Sequence, residues 1–497
     1  MSPSTQSRAF LAIFLLALLF RLAAAWAWQS QCNAAGSPLK FGDSHSYWII
    51  ARNVVHEGTY QYGSDQSKIF RAPIYPLFLT PFVTLEAPLE EDHLKAPIST
   101  TIPLLVRFVG SLLGAACVWL LMHWTRRLCD LPLAPILTGL LATLYCGAVG
   151  MSIFVLSEAL ATPLFILAAY WTWLALQPDQ KNNLIPKKFS PLLIPAAIAL
   201  ATACLTRPSW SLWLPIACIY ILFASYLAHQ RDRKTHLLQP AIFLVAFLLT
   251  MTPWWIRNYT ITGKFVPTTL QVGASLYDGW HPMATGSSDE NMAFSTEFLQ
   301  LQLQQDQLLA SQGKPLESTL EWRIDRRLLN AAYHWAIENP SDVAKLGLVK
   351  FLKTWMPLPI ARELGNPWVR WWEAGSYSTI MLLAFWGLRC LAKSHPLSAL
   401  WIAMPCLYLA VLHAVFIGSV RYRQPGVLIL CVLAGIGAAH ILSLRFPNPK
   451  KILKPSGNPL HTNPTQAIGA QDYQASGAQN HSTTDEYPRN SNSNPDS

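Results

Sequence analysis

Residues 9–28 read AFLAIFLLALLFRLAAAWAW, twenty positions with a single charge at Arg21. At about 1.5 Å of rise per residue, a helix of that length spans about 30 Å, the thickness of the hydrocarbon layer of a bilayer. Similar apolar blocks follow at roughly 103–124, 132–150, 158–176, 191–206, 209–228, 239–256, 376–392, 397–417 and 424–443. Across all 497 residues, 52% are hydrophobic and 13% charged, about half the charge of an ordinary soluble domain. That balance excludes a soluble protein. The expected fold class is an all-α integral membrane protein with about ten transmembrane helices. An alternative reading of the first block is a signal peptide, since Arg8 precedes it and Ala23-Ala24-Ala25 resembles a cleavage region.

The formal net charge is +10, yet the basic residues form no single arm or helix and no nucleic-acid motif is present, so no nucleic-acid partner is expected. Topology accounts for the charge better, because short cytoplasmic loops favour Lys and Arg. With the N-terminus inside, the inner turns hold Arg126 and Arg127, then Lys181, Lys187 and Lys188, then Arg231, Arg233 and Lys234, then Arg389 and Lys393; Arg445, Lys450, Lys451 and Lys454 follow the last span. This expectation places the chain in the inner (cell) membrane as a multi-pass protein, with two long segments outside, about 29–100 and 257–375. Cys32 alone among nine cysteines falls in such an outer loop, so no disulfide framework follows.

Both outer segments carry helical signals. Tyr47, Ala51, Val54 and Val55 recur at helical spacing after Asp43, giving an amphipathic helix suited to the membrane surface. Thr319 to Glu338 alternates apolar and charged residues at the same period, and Asn339-Pro340 stops it. From about Pro447 the chain is rich in Asn, Ser, Pro, Gln and Gly, so residues 1–444 read as the membrane module and 445–497 as a disordered cytoplasmic tail. No internal repeat relates the two halves.

Asp43, in Gly42-Asp43-Ser44, stands at the start of the first outer helix. A helix N-cap is the plain reading of such a residue. The wider pattern is more specific: Asp43, Tyr47, Ala51, Gly58 and Tyr60, then Phe70-Arg71-Ala72-Pro73-Ile74-Tyr75-Pro76. Further on come Ser157-Glu158, Thr206-Arg207-Pro208, Pro253-Trp254-Trp255-Ile256-Arg257-Asn258-Tyr259 with Gly263-Lys264-Phe265-Val266-Pro267, and Arg421-Tyr422-Arg423. In order and placement this set resembles the GT-C-type glycosyltransferases, integral-membrane enzymes that include protein O-mannosyltransferases and the lipid A aminoarabinose transferase. The resemblance covers most of residues 1–444. It implies transfer of a sugar from a polyprenyl-phosphate carrier to an acceptor hydroxyl on a protein, lipid or glycan at the outer face. It also implies inversion, with Asp43 matching the catalytic aspartate and Arg71 a contact to the carrier phosphate; Arg421 and Arg423 match less closely.

The arginines lead to related chemistry without the resemblance. Arg71, Arg107, Arg207, Arg257, Arg421 and Arg423 lie near expected outer ends of spans, against the positive-inside tendency. A planar guanidinium grips phosphate through two parallel hydrogen bonds, which suits a phosphate-binding set of Arg71, Arg257, Arg421 and Arg423. The plain alternative is snorkelling to headgroups, or pairing with Glu158, Asp278 or Glu363. Sugar transfer from a phosphate carrier needs a base for the acceptor proton and cations for the departing phosphate; Asp43 and Arg71 can supply them, with Tyr47, Glu158 and Arg207 as further candidates. Glu57 and Asp65 leave a second carboxylate, and hence retention, open.

His45, His56, His93 and His281 lack the spacing of a zinc site. No cofactor is expected to be required, and a divalent metal is left open. Arg21 interrupts its span and is a candidate by that fact. The competing functions are a polytopic transporter, against which stand the missing repeat and the long outer segments, and a ligase or polymerase that moves whole lipid-linked glycans.

Overall fold

The computed structural model describes residues 3–63, 67–86, 96–177, 190–228, 233–289, 293–358 and 366–445, and those residues are helix, turn and loop. The chain opens with α1 (Pro3–Ala34), followed by α2 (Gly42–Glu57) and α3 (Ile74–Val83) in the first long connection. Then come α4 (Ile102–Leu128), α5 (Ala134–Leu144), α6 (Cys146–Ile153), α7 (Glu158–Ala175), α8 (Leu193–Thr206), α9 (Trp213–Ala228) and α10 (Arg233–Thr262). The second long connection holds α11 (Val272–Gly279), α12 (Ala293–Ser311), α13 (Leu320–Glu338) and α14 (Pro340–Trp355). Finally α15 (Pro367–Ala392), α16 (Pro396–Val415) and α17 (Val420–Arg445) return to the bundle. Met1–Phe446 form one compact unit; the tail from 447, with Lys450, Lys451 and Lys454, lies outside the described residues, as do Asp65, His93, Lys181, Lys187, Lys188, Arg231 and Glu363.

Local sequence explains many boundaries. Proline stands in the first turn of α4, α5, α14, α15 and α16, where its missing N–H costs no hydrogen bond. Thr319 caps α13 by accepting from the Trp322 amide at 3.3 Å. Asn339-Pro340 ends α13 as expected but opens α14 at once.

Seven helical stretches are long and apolar enough to cross a membrane among the described residues, and an eighth if α5 and α6, bent by 60° at Tyr145, count as one broken span. Ten is therefore corrected to seven or eight. The other two expected spans do form helices, but α8 has 14 residues and reaches only about 21 Å, while α15 dilutes its apolar run with Arg370, Glu373, Ser376, Tyr377 and Arg389. Leu19, Ile219, Leu249 and Leu382 are each more than 60% exposed, which suits contact with lipid rather than water. Where α15 meets α17, a Cβ on Gly387 would strike the Leu433 carbonyl and one on Gly437 the Leu383 carbonyl, so glycine lets the two backbones touch.

The described parts of the connections, 35–63, 67–86, 96–101, 154–157, 207, 263–289, 293–358 and 416–419, meet at one end of the bundle. Arg126, Arg127, Arg389, Lys393 and Arg445 lie at the helix ends opposite. Two local expectations change. Helix α2 is enclosed by protein instead of lying open along one face: Ser44 and the whole run Ser46–Asn53 are buried, and Arg52 clamps Glu86 through bonds of 2.8 and 3.0 Å. Cys32 sits in the last turn of α1 rather than in a loop, with 1% of its surface exposed. Among the described residues no carboxylate pairs with Arg21; it donates to Ser152 Oγ and to the Ala17 and Ala142 carbonyls, tying α1 to α5 and α6.

Candidate functional site

Asp43 occupies the first turn of α2, yet its side chain does not cap the helix; the N-cap residue is Phe41, and no side-chain cap bond forms there. Its carboxylate instead accepts from Arg71 Nη2 at 2.8 Å through one oxygen and from Arg421 Nη1 at 3.1 Å through the other. A negative charge at a helix N-terminus is also favoured by the helix dipole. Burial opposes charge on Asp43, but Arg71 and Arg421 more than offset it and hold its carboxyl well below the usual carboxylate range. The side chain keeps 36% of its surface exposed, so it remains open to an incoming molecule.

Arg71 follows Phe70 in the segment before α3. Its Nε donates to Ser46 Oγ at 2.9 Å and its Nη1 to Gln271 Oε1 at 3.2 Å, while its guanidinium lies over the Tyr47 and Phe70 rings. Ser46 Oγ in turn donates to the Asp43 carbonyl at 2.8 Å, one helical turn back. Arg421, in the first turn of α17, grips Glu158 through both Nε and Nη2 while holding Asp43. Glu158 opens α7, is 2% exposed, and accepts also from Arg207 Nη1 at 3.1 Å. Arg207 donates to Ser157 Oγ at 3.3 Å and lies over the Tyr422 ring; Tyr47 Oη donates to the same Ser157 Oγ at 3.2 Å.

Five separated stretches of chain thus deliver three guanidiniums and two carboxylates to one place. The excess charge is positive and partly exposed, the electrostatics of an anion site. Among the residues singled out from sequence, Asp43, Tyr47, Arg71, Glu158, Arg207 and Arg421 are brought together.

Two are not. Arg257 stands behind the site, donating to the Tyr60 and Lys68 carbonyls at 3.0 and 3.1 Å with its guanidinium over Tyr60 and Trp254. Arg423 is 1% exposed and turns away, to the Thr354 and Met356 carbonyls, Glu373 and the Tyr377 ring. The reason is helical: two residues on, a side chain has rotated about 200° around the axis. Arg107 is likewise internal, donating to Gln29, the Ile153 and Pro38 carbonyls and Cys32. Asp278 takes no arginine; it accepts from Ser288 Oγ and the Asp289 amide.

Sequence reasoning missed Ser46 and Gln271, and it quoted Ser157 and Tyr422 only within motifs, without a role. Ser46 was within reach, three residues after Asp43 on the same helical face. Gln271 carries no local signal, since only tertiary contact places it at Arg71. Among the described residues no group of three or more His, Cys, Asp or Glu side chains could hold a metal ion.

No protein-family model matches the chain, and no curated protein does. Solved structures do. The oligosaccharyltransferase of Archaeoglobus fulgidus in its apo form aligns over 91% of this chain and 52% of its own, with TM-score 0.52 and 14% identity. The same archaeal enzyme, AglB, in complex with an inhibitory peptide and a dolichol-phosphate, aligns over 90% and 52%, with TM-score 0.51 and 15% identity. The chain therefore spans about half the length of the structures it resembles. The likeness is one of fold, an arrangement of membrane helices.

Proposed function

We propose that this protein is a membrane glycosyltransferase that moves a sugar from a polyprenyl-phosphate carrier to an acceptor hydroxyl at the outer face of the membrane. The observation that carries the reading is the convergence on Asp43 of Arg71 and Arg421, at 2.8 and 3.1 Å. A carrier phosphate arriving at the site competes for those guanidiniums. As it takes them, Asp43 loses the cations that depress its basicity and becomes able to accept a proton. The acceptor oxygen gives its proton to Asp43 and bonds to the anomeric carbon. The bond from that carbon to the phosphate oxygen breaks, and the polyprenyl phosphate leaves with the electron pair, its charge met by Arg71 and Arg421.

Inversion follows from which carboxylates are free. Glu158 is buried and engaged by Arg207 and Arg421, so it is poorly placed to attack a sugar. Glu57 ends α2, fourteen residues from Asp43, or about 21 Å along the helix. Among the described residues, which leave out Asp65, a single available carboxylate suits direct displacement. The fold of an oligosaccharide-transferring enzyme also accommodates a larger donor, and product mass distinguishes one sugar from a whole glycan.

The purified protein should transfer sugar from a polyprenyl-phosphate sugar with no nucleotide present and with EDTA added. Strict dependence on a nucleotide sugar would overturn the donor assignment. A divalent-metal requirement would overturn leaving-group stabilisation by arginine alone.

Orientation has its own test. Cys32 is too buried to report it, so the probe belongs at Ala35, which is exposed just beyond α1, and at Asp130, exposed at the opposite end. In cysteine-free protein, Ala35→Cys should react with a membrane-impermeant maleimide in intact cells and Asp130→Cys only after permeabilisation. The reverse pattern would put Asp43 in the cytoplasm and remove the proposed site from the outer face.

A further inference from the structure

The backbone that presents Arg71 has no helix or strand of its own, and neighbours hold it at several of its polar groups. Arg257 donates to the Lys68 carbonyl at 3.1 Å, the Leu270 amide to the Ile69 carbonyl at 3.1 Å, and Tyr60 Oη to the Arg71 carbonyl at 2.9 Å. The remaining anchor comes from the second long connection: Glu321, in the first turn of α13, accepts the Ile69 amide at 3.0 Å. Ile69 itself is fully buried. The other Glu321 oxygen, Oε1, is buried without a hydrogen-bond partner.

We propose that Glu321 is a positioning residue for Arg71: its carboxyl fixes the Lys68–Arg71 backbone against α13 and so sets where the Arg71 guanidinium stands relative to Asp43 and a carrier phosphate. The inference rests on the phosphate-binding role proposed above for Arg71, and it adds an acidic residue of the second connection to the machinery of the first.

The geometry makes this anchor sensitive to pH. A buried carboxyl with one unpartnered oxygen favours its neutral form. Burial pushes Glu321 up to about 7; the Ile69 and Lys68 amides and Arg257 pull it down, and Asp325, one turn along α13, pushes it up. Tyr60 faces it as well. When the anchor opens, Glu321 returns towards its ordinary value of 4.5. The closed arrangement therefore binds the proton more tightly than the open one. It is firmest at low pH and loosens as pH rises from the open value towards the closed one, with no further change above it.

The test is amide hydrogen exchange on the purified full chain, corrected for intrinsic rates, joined to binding of undecaprenyl phosphate. Protection of the Ile69 amide should fall by up to about tenfold per pH unit across that window in the native protein. Glu321→Gln, a neutral carboxyl mimic that still offers an oxygen, should keep protection high and level with pH. Glu321→Ala should lose it at every pH. Undecaprenyl phosphate binding at about pH 5, where the anchor is firm, should weaken about tenfold in Glu321→Ala but less than about twofold when Arg71→Ala is already present, the signature of two residues acting through one contact.

Ile69 protection level with pH in the native protein, or an equal loss of binding in both backgrounds, would overturn the proposal, and the Gln variant with the native pH series keeps it testable even if Glu321→Ala does not fold. Native protein that binds no undecaprenyl phosphate would overturn the proposed function instead, leaving the exchange result to judge the anchor.

Discussion

Asp43→Asn should yield a folded protein whose sugar transfer falls by about 10²–10⁴-fold, the usual loss when a general base is removed. Folding survives because each arginine keeps other partners: Arg421 retains Glu158, and Arg71 retains Ser46 and Gln271. The amide can accept a hydrogen bond in place of the carboxylate but takes no proton at neutral pH. Some stability is lost above pH 4, since a carboxyl held below its usual range stabilises the fold where it is ionised and ceases to do so as pH falls through its lowered value. The measurements are transfer rate at saturating donor and thermal unfolding of the same preparation. A variant with near-native turnover would leave Asp43 as a structural partner of two arginines.

Arg71→Ala should act mainly on the donor. Arg71 donates charge-assisted bonds to Asp43, Ser46 and Gln271, and a phosphate would redirect at least one of these donors to itself. Each charge-assisted hydrogen bond contributes about 1.5–3 kcal/mol, so donor use should weaken about 10- to 150-fold per bond lost. Lys at the same position should recover part of this, because an ammonium supplies charge but not the planar pair of donors. Native donor affinity in Arg71→Ala would remove Arg71 from the phosphate site. A collapse of both variants with unfolding would show that its bonds to Gln271 and Ser46 hold the two long connections together.

Composition and hydrophobic length decide the class of this protein before any contact is known. Apolar runs that match the bilayer leave helices as the economical spanning structure, because each satisfies its own backbone hydrogen bonds. Helical period found α2 and α13, and Asn339-Pro340 located a break, since these depend on residues within a few positions of one another. Number of spans was less legible. The bend at Tyr145 and the short α8 arise from packing, and apolarity alone counts both blocks as ordinary crossings.

The site divides along the same line. Asp43, Arg71, Glu158, Arg207 and Arg421 are visible as charges at the expected ends of spans, where an apolar environment makes a charge conspicuous. Which of the arginines face one another is invisible, because it depends on helix rotation: Arg421 and Arg423 are neighbours in sequence, yet one holds Asp43 and the other Glu373. Nor does any local pattern link Glu321 to Ile69, or Gln271 to Arg71, across some two hundred positions or more. Sequence by itself determined which charges stand at the ends of apolar runs, through the local cost of burying them. The tertiary structure alone decided which charges meet, because a contact between distant segments is set by the packing of the whole bundle and leaves no periodic trace in either segment.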